Sequence, residues 1–161
     1  MKKFIMYGAG NIGRGFIGQT FSLAGYKVGF IDVNMELIGR LNQDGCYPVE
    51  IVTTEKTEEM IVNNVYGIDG KDIELVSDEI ASCDMMATAI GVNVLKFIEK
   101  PIALGIRKRA EKGLKAFNII ICENLIGADA YLKGLIVNEI PELKDYVEEN
   151  IGFIEASIGR M

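Results

Sequence analysis

Short apolar runs alternate along this chain with stretches whose apolar residues recur at helical spacing. Residues Lys3–Tyr7 form a largely apolar run that stops at a glycine, as a strand buried on both faces would. Residues 11–24 follow with Ile12, Phe16, Ile17, Thr20 and Phe21 on one helical face, and Gly25 stands where a C-terminal helix glycine belongs. Residues 26–31 read as a second strand. Asn34 is placed to cap a helix over residues 35–43 that turns Leu37, Ile38 and Leu41 inward, and Gly45 ends it.

The period then changes. Val49, Ile51 and Thr53 alternate with polar residues, and Met60, Val62 and Val65 lie beyond a charged turn, so residues 47–68 predict a β-hairpin or a pair of edge strands. Ser77 is a candidate cap for a short helix reaching Ser82. Residues 84–89 form an apolar strand ending near Gly91. Residues 92–112 carry Val94, Leu95, Ile98, Ile102 and Ile106 in helical register, with Pro101 predicting a kink or break. Residues 117–122, with three successive isoleucines, are a buried strand. A helix over 128–138, a shorter one after Pro141 and a strand over 152–157 complete the series.

Strands alternating with helices predict an α/β fold with a mostly parallel, doubly wound sheet, helices on both faces and a small β-hairpin insertion, the Rossmann-type architecture. The 161 residues fit one domain, 1–161, with no internal repeat or linker.

Composition narrows the function classes. Hydrophobic residues make up 49% and charged residues 25%, a globular balance. No apolar run approaches the roughly 18 residues a spanning helix needs, and the apolar stretch before the first glycine is too short for a signal peptide, so no membrane partner and a cytoplasmic location are expected. The net charge is −6 without a long run of one sign, which argues against nucleic acid. The basic group Arg107, Lys108, Arg109, Lys112 and Lys115 reads as a solvated helix end. Cys46, Cys83 and Cys122 lack paired spacing and read as reduced thiols. The chain has no histidine, which removes His-based metal sites and Ser/His or Cys/His nucleophiles; no metal is expected.

Gly8-Ala9-Gly10-Asn11-Ile12-Gly13 is a G-x-G-x-x-G turn placed after a strand and before a helix. Gly8 permits the tight turn, Gly10 lets a diphosphate approach the backbone, and Gly13 lets the helix pack against the strand. The free N–H groups of the helix N-terminus favour an anion there. Asp32 ends the second strand at the interval, about 20 residues, at which a carboxylate receives the adenine-ribose hydroxyls. It would repel a 2′-phosphate, so NAD is favoured over NADP. Strand ends line the crevice of such folds, which nominates Thr88 to Gly91 and Glu123-Asn124. The Thr88 to Gly91 segment either passes beneath the nicotinamide ribose or is a plain turn. Asn124 either holds a substrate oxygen as alkoxide character develops or caps a helix. Arg14 either meets a phosphate or lies on the helix surface.

The stretch Tyr7-Gly8-Ala9-Gly10-Asn11-Ile12-Gly13-Arg14-Gly15-Phe16-Ile17-Gly18, the strand end Phe30-Ile31-Asp32-Val33-Asn34, Thr88-Ala89-Ile90-Gly91, Asn118-Ile119-Ile120-Ile121-Cys122-Glu123-Asn124 and Gly152-Phe153-Ile154 together resemble the polyol-specific long-chain dehydrogenases, in order and over essentially the whole chain. The resemblance implies metal-free, reversible NAD-dependent oxidation of D-mannitol 1-phosphate to D-fructose 6-phosphate. It implies a polyol phosphate substrate, dinucleotide roles for Gly8, Gly10, Asn11, Ile12, Gly13 and Asp32, and an active-site role for Asn124. The family's general base is a lysine in a helical C-terminal domain, assisted there by Asn and His. That domain is expected to be the chain's partner, and the 161 residues alone are expected to be inactive. Ile158-Gly159-Arg160 departs from the family's usual Val-Asp-Arg. The alternatives are a related polyol or uronate enzyme, such as a fructuronate or tagaturonate reductase or a free-mannitol dehydrogenase, and a non-catalytic NAD sensor.

Overall fold

The computed structural model describes residues 1–159. Its frame is a six-stranded sheet. The chain begins with β1 (Lys3–Tyr7), passes through a helix over residues 11–23 (α1), and continues into β2 (Lys27–Asp32) and α2 (Met35–Asp44). An antiparallel hairpin, β3 (Cys46–Val52) and β4 (Thr57–Asn63), precedes β5 (Val65–Asp69), α3 (Ile73–Ser82) and β6 (Met85–Thr88). After α4 (Glu99–Glu111) come β7 (Phe117–Ile121), α5 (Ala128–Glu139), α6 (Lys144–Asn150) and β8 (Ile151–Glu155).

The sheet order is β5-β2-β1-β6-β7-β8, and all its neighbouring pairs run parallel. With the hairpin set aside, that is the doubly wound order of a Rossmann fold, whose direction reverses between β1 and β6. Alternate residues of each strand feed two cores, as a pleated strand covered on both faces requires. Ile5, Ile31, Met86 and Ile119 pack under α3, α4 and α5. Phe4, Met6, Val28 and Phe30 pack on the other face with Ile17 of α1, Leu41 of α2, and Tyr47 and Val62 of the hairpin.

Local chemistry explains the elements. Asn34 accepts the Leu37 N–H and caps α2, and Gly45 ends that helix at φ +64°, where a side chain would be strained. Between Gly13 and Gly18 the helix α1 widens into π-type turns. A Cβ on Gly18 would lie 2.4 Å from the Phe30 ring, so this face of the helix rests directly on β2.

Three expectations are corrected. Residues 65–69 do not extend the hairpin; β5 leaves it at Asn64 (φ +58°) and pairs in parallel with β2. Ser77 is no cap: it is buried inside α3, which starts four residues earlier with Asp72 accepting the Leu75 N–H. The stretch predicted as one helix over 92–112 is a 3₁₀ segment, Val92–Phe97, followed by α4. The break precedes Pro101, which falls in the first turn of α4, where its missing N–H has no intrahelical partner to lose.

Candidate dinucleotide site

The glycine turn is built between β1 and α1 at the carboxyl edge of the sheet. Gly8 has φ +104°, donates to Ile31 O at 2.9 Å, and would place a Cβ 2.4 Å from Ala89 O. A Cβ on Gly13 would meet Gly8 O at 2.0 Å, so the helix can approach the turn only at a glycine. Gly10 is different: no heavy atom lies within 4 Å of the Cβ it lacks, and its bare face is open. The N-terminus of α1 follows at once, bringing unpaired N–H groups and a partial positive charge to that face.

Asp32 stands directly across the turn. Its Oδ2 accepts the Ala9 N–H and its Oδ1 the Asn34 N–H, both at 2.9 Å. Each carboxylate oxygen has two acceptor sites, so both oxygens keep one. A cavity of about 430 Å³ opens beside this carboxylate, with Gly8 and Gly10 on one wall and the apolar Val33, Val94 and Phe97 on others. Phe97 is 68% exposed, with Lys96 Nζ 5.1 Å from the centre of its ring. A polar floor, a carboxylate and a flat apolar wall suit an adenosine and the start of its diphosphate.

Arg14 is not free on the helix surface. It is half-buried, donates from Nε to Ala9 O at 2.6 Å, and lies 6.0 Å from the Tyr47 ring, while the Tyr47 hydroxyl donates to Arg14 O at 2.7 Å. It fastens the glycine turn to the hairpin.

At the ends of β6 and β7 the residues divide. Thr88 is fully buried, its carbonyl accepts the Cys122 N–H, and its hydroxyl has no hydrogen-bond partner among the described residues; the side chain does not line the cavity. Gly91 is exposed at φ +92°. Asn124 is exposed at the centre of a three-residue turn closed by Leu125 N–H to Glu123 O. It is not a helix cap: Gly127 holds that position in α5, and Glu155 Oε2 accepts the Gly127 and Ala128 N–H groups at 2.7 and 3.1 Å. Asn124, Ile12, Cys122 and Ser157 line a second cavity of about 320 Å³. Gly159 is exposed, and Arg160 lies outside the described residues.

Sequence reasoning nominated Glu123 together with Asn124 but gave it no role of its own; its buried carboxylate accepts the Ile90 N–H at 2.9 Å and the Gly91 N–H at 2.8 Å. Its only signal was its place before Asn124. Burial and the Glu123 charge push the Cys122 thiol up to about 11, and burial raises the Tyr7 hydroxyl to about 12. Neither supplies an anion at neutral pH. Among the described residues no group of side chains could hold a metal ion, and no helix is long and apolar enough to cross a membrane.

Comparison with known proteins agrees with this geometry. The family model described as the mannitol dehydrogenase Rossmann domain matches residues 2–161. Mannitol-1-phosphate 5-dehydrogenase of Brevibacillus brevis is 40% identical over 158 residues, covering 98% of this chain and 41% of that protein. The Streptococcus mutans protein of the same name is 42% identical, covering 100% and 43%. The chain thus spans about two fifths of the length of these relatives. Among solved structures, Pseudomonas fluorescens mannitol 2-dehydrogenase, in a ternary complex with NAD and D-mannitol, aligns with a TM-score of 0.78 at 13% identity over 94% of this chain and 40% of that one. A D-sorbitol dehydrogenase in substrate-free form aligns equally well, at 15% identity over 94% and 41%. With sheet order, glycine turn and family match in accord, the chain belongs to the mannitol dehydrogenase family, of which it forms the Rossmann domain.

Proposed function

We propose that this chain is the NAD-binding part of a dehydrogenase that interconverts D-mannitol 1-phosphate and D-fructose 6-phosphate. The observation that carries the reading is the Asp32 carboxylate, fixed against the glycine turn by Ala9 N–H and facing the 430 Å³ cavity. NAD, when bound, supplies the nicotinamide carbon that accepts or gives the hydride.

The chain's own residues do the holding. Gly8, Gly10 and Gly13 shape the turn, and the backbone at Gly10, Asn11 and Ile12 faces the diphosphate with the positive end of α1. Asp32 takes the ribose hydroxyls on its two remaining acceptor sites and repels a 2′-phosphate. The segment from Thr88 to Gly91 serves the nicotinamide ribose through its backbone. Asn124 donates an amide N–H to the reacting oxygen as it gains alkoxide character. The catalytic base is assigned to a further domain of the intact protein, which also contributes most of the substrate pocket; residues 1–161 alone are the dinucleotide unit and turn nothing over.

Two relatives about 40% identical that carry the mannitol-1-phosphate 5-dehydrogenase name support this substrate. The test is a fluorescence titration of NADH against NADPH. Saturable NADH binding, at least about tenfold tighter than NADPH, is expected from the charge at Asp32. Equal binding of the two, or none, would sink the assignment.

A further inference from the structure

We propose that Glu123 is a positioning residue that sets the nicotinamide half of the site by locking the Ile90–Gly91 backbone. The proposal deepens the dinucleotide reading above and rests on it.

The geometry is specific. Glu123 stands just beyond β7, and Ile90 and Gly91 stand just beyond the neighbouring β6. The carboxylate, 7% exposed, reaches across and takes one N–H on each oxygen, at 2.9 and 2.8 Å. A buried carboxylate is retained only where its charge is met by donors, and two converging backbone N–H groups meet it here. Gly91 can turn its N–H inward because it occupies φ +92°, open to glycine at no cost.

The clamp also sits at a junction. On one side Ala89 O lies against Gly8, so the clamped segment backs onto the glycine turn. Ile90 lines the cavity beside Asp32, whereas Glu123 and Asn124 line the cavity of about 320 Å³. The clamped strand ends are therefore the partition between an adenosine half and a nicotinamide half. Because both N–H groups are spent on Glu123, neither is free for a phosphate, and diphosphate contacts fall to the glycine turn and α1. The same carboxylate fixes the backbone from which Asn124 projects. Releasing it loosens the partition and leaves Asp32 and the glycine turn as they are.

The test compares NADH with ADP-ribose, which carries the adenosine and diphosphate but no nicotinamide, on this chain and on Glu123→Gln. The glutamine keeps the shape but presents an NH₂ group to one of the two backbone donors. Fluorescence titration for NADH and calorimetry for ADP-ribose should give an NADH affinity reduced about tenfold, the scale of one lost charged hydrogen bond, with ADP-ribose changed less than about twofold. Parallel losses for both ligands, or no loss for either, would overturn the role of Glu123 while leaving the dinucleotide site intact. Failure of the unaltered chain to bind either ligand would overturn both readings. Amide hydrogen exchange on the unaltered chain gives a check that does not depend on the variant folding. NADH should raise the protection of the Ile90 and Gly91 amides, and ADP-ribose should not. No added protection with NADH contradicts the proposal.

Discussion

The Asp32 carboxylate accepts the Ala9 N–H at 2.9 Å, so the residue assigned to the ribose also ties down the turn assigned to the diphosphate. Asp32→Ala should therefore lose more than a ligand contact. With two backbone N–H groups left unmet, one at Ala9 and one at Asn34, stability should fall by about 2 kcal/mol, the scale of a hydrogen bond to a charged group. NADH binding should vanish. Urea denaturation read alongside the titration checks both, and unchanged stability would show that the turn holds itself.

Gly10 and Gly13 should respond oppositely to alanine. At Gly13 the new Cβ would stand 2.0 Å from Gly8 O, which forces α1 off the turn and costs about 1–3 kcal/mol or more. At Gly10 no atom stands within 4 Å, so the fold should keep its stability within about 0.5 kcal/mol, while the methyl fills the face assigned above to the diphosphate. The expected pair is a destabilised Gly13→Ala and a stable Gly10→Ala that binds no NADH. A Gly10→Ala protein with full affinity would show that the diphosphate lies elsewhere.

Asn124→Ala should be silent in both stability and NADH affinity on this chain, because the side chain is exposed. In a full-length protein with the activity proposed above, the same change should lower kcat by about a hundredfold or more, the cost of losing one oxyanion donor. A strong loss of NADH affinity would instead make Asn124 a cofactor ligand.

Alkali should weaken the fold over a defined range. Burial raises Tyr7 and Cys83 to about 12 and Cys122 to about 11, and each is neutral when protonated. The folded chain holds these protons more tightly than the unfolded one. Their contribution is complete below the ordinary thiol value of 9.0 and disappears as pH rises through 11 to 12. The urea midpoint should fall steadily from about pH 9 upward, and the fall should be shallower in Cys83→Ala. At neutral pH a thiol reagent should modify the half-buried Cys46 first and reach the other two only in denaturant.

Much of this fold was legible because the local signals agree with the packing. The apolar runs of β1, β6 and β7 and the Asn34–Gly45 bracket around α2 each name their element. The misread places are those where distant partners decide. Val65–Asp69 follows the hairpin so closely that its pairing with β2 leaves no mark in its own residues. Ser77 resembles a cap, but Asp72 lies at the true start of α3. At the site, the glycines and Asp32 were readable because their spacing carries the chemistry. The hold of Glu123 on Ile90 and Gly91 was not, since these partners sit more than 30 positions away and are backbone amides with no sequence signature.

The hairpin leaves and rejoins the frame at one place, where Val65 N–H donates to Gly45 O at 3.2 Å. An excursion whose ends already touch can grow or shrink at little entropic cost, since closing a loop depends only weakly on its length. The crossover from α2 to β5 can therefore form without waiting for it. This makes β3–β4 the natural place for members of this family to differ in size while the six parallel strands stay as they are.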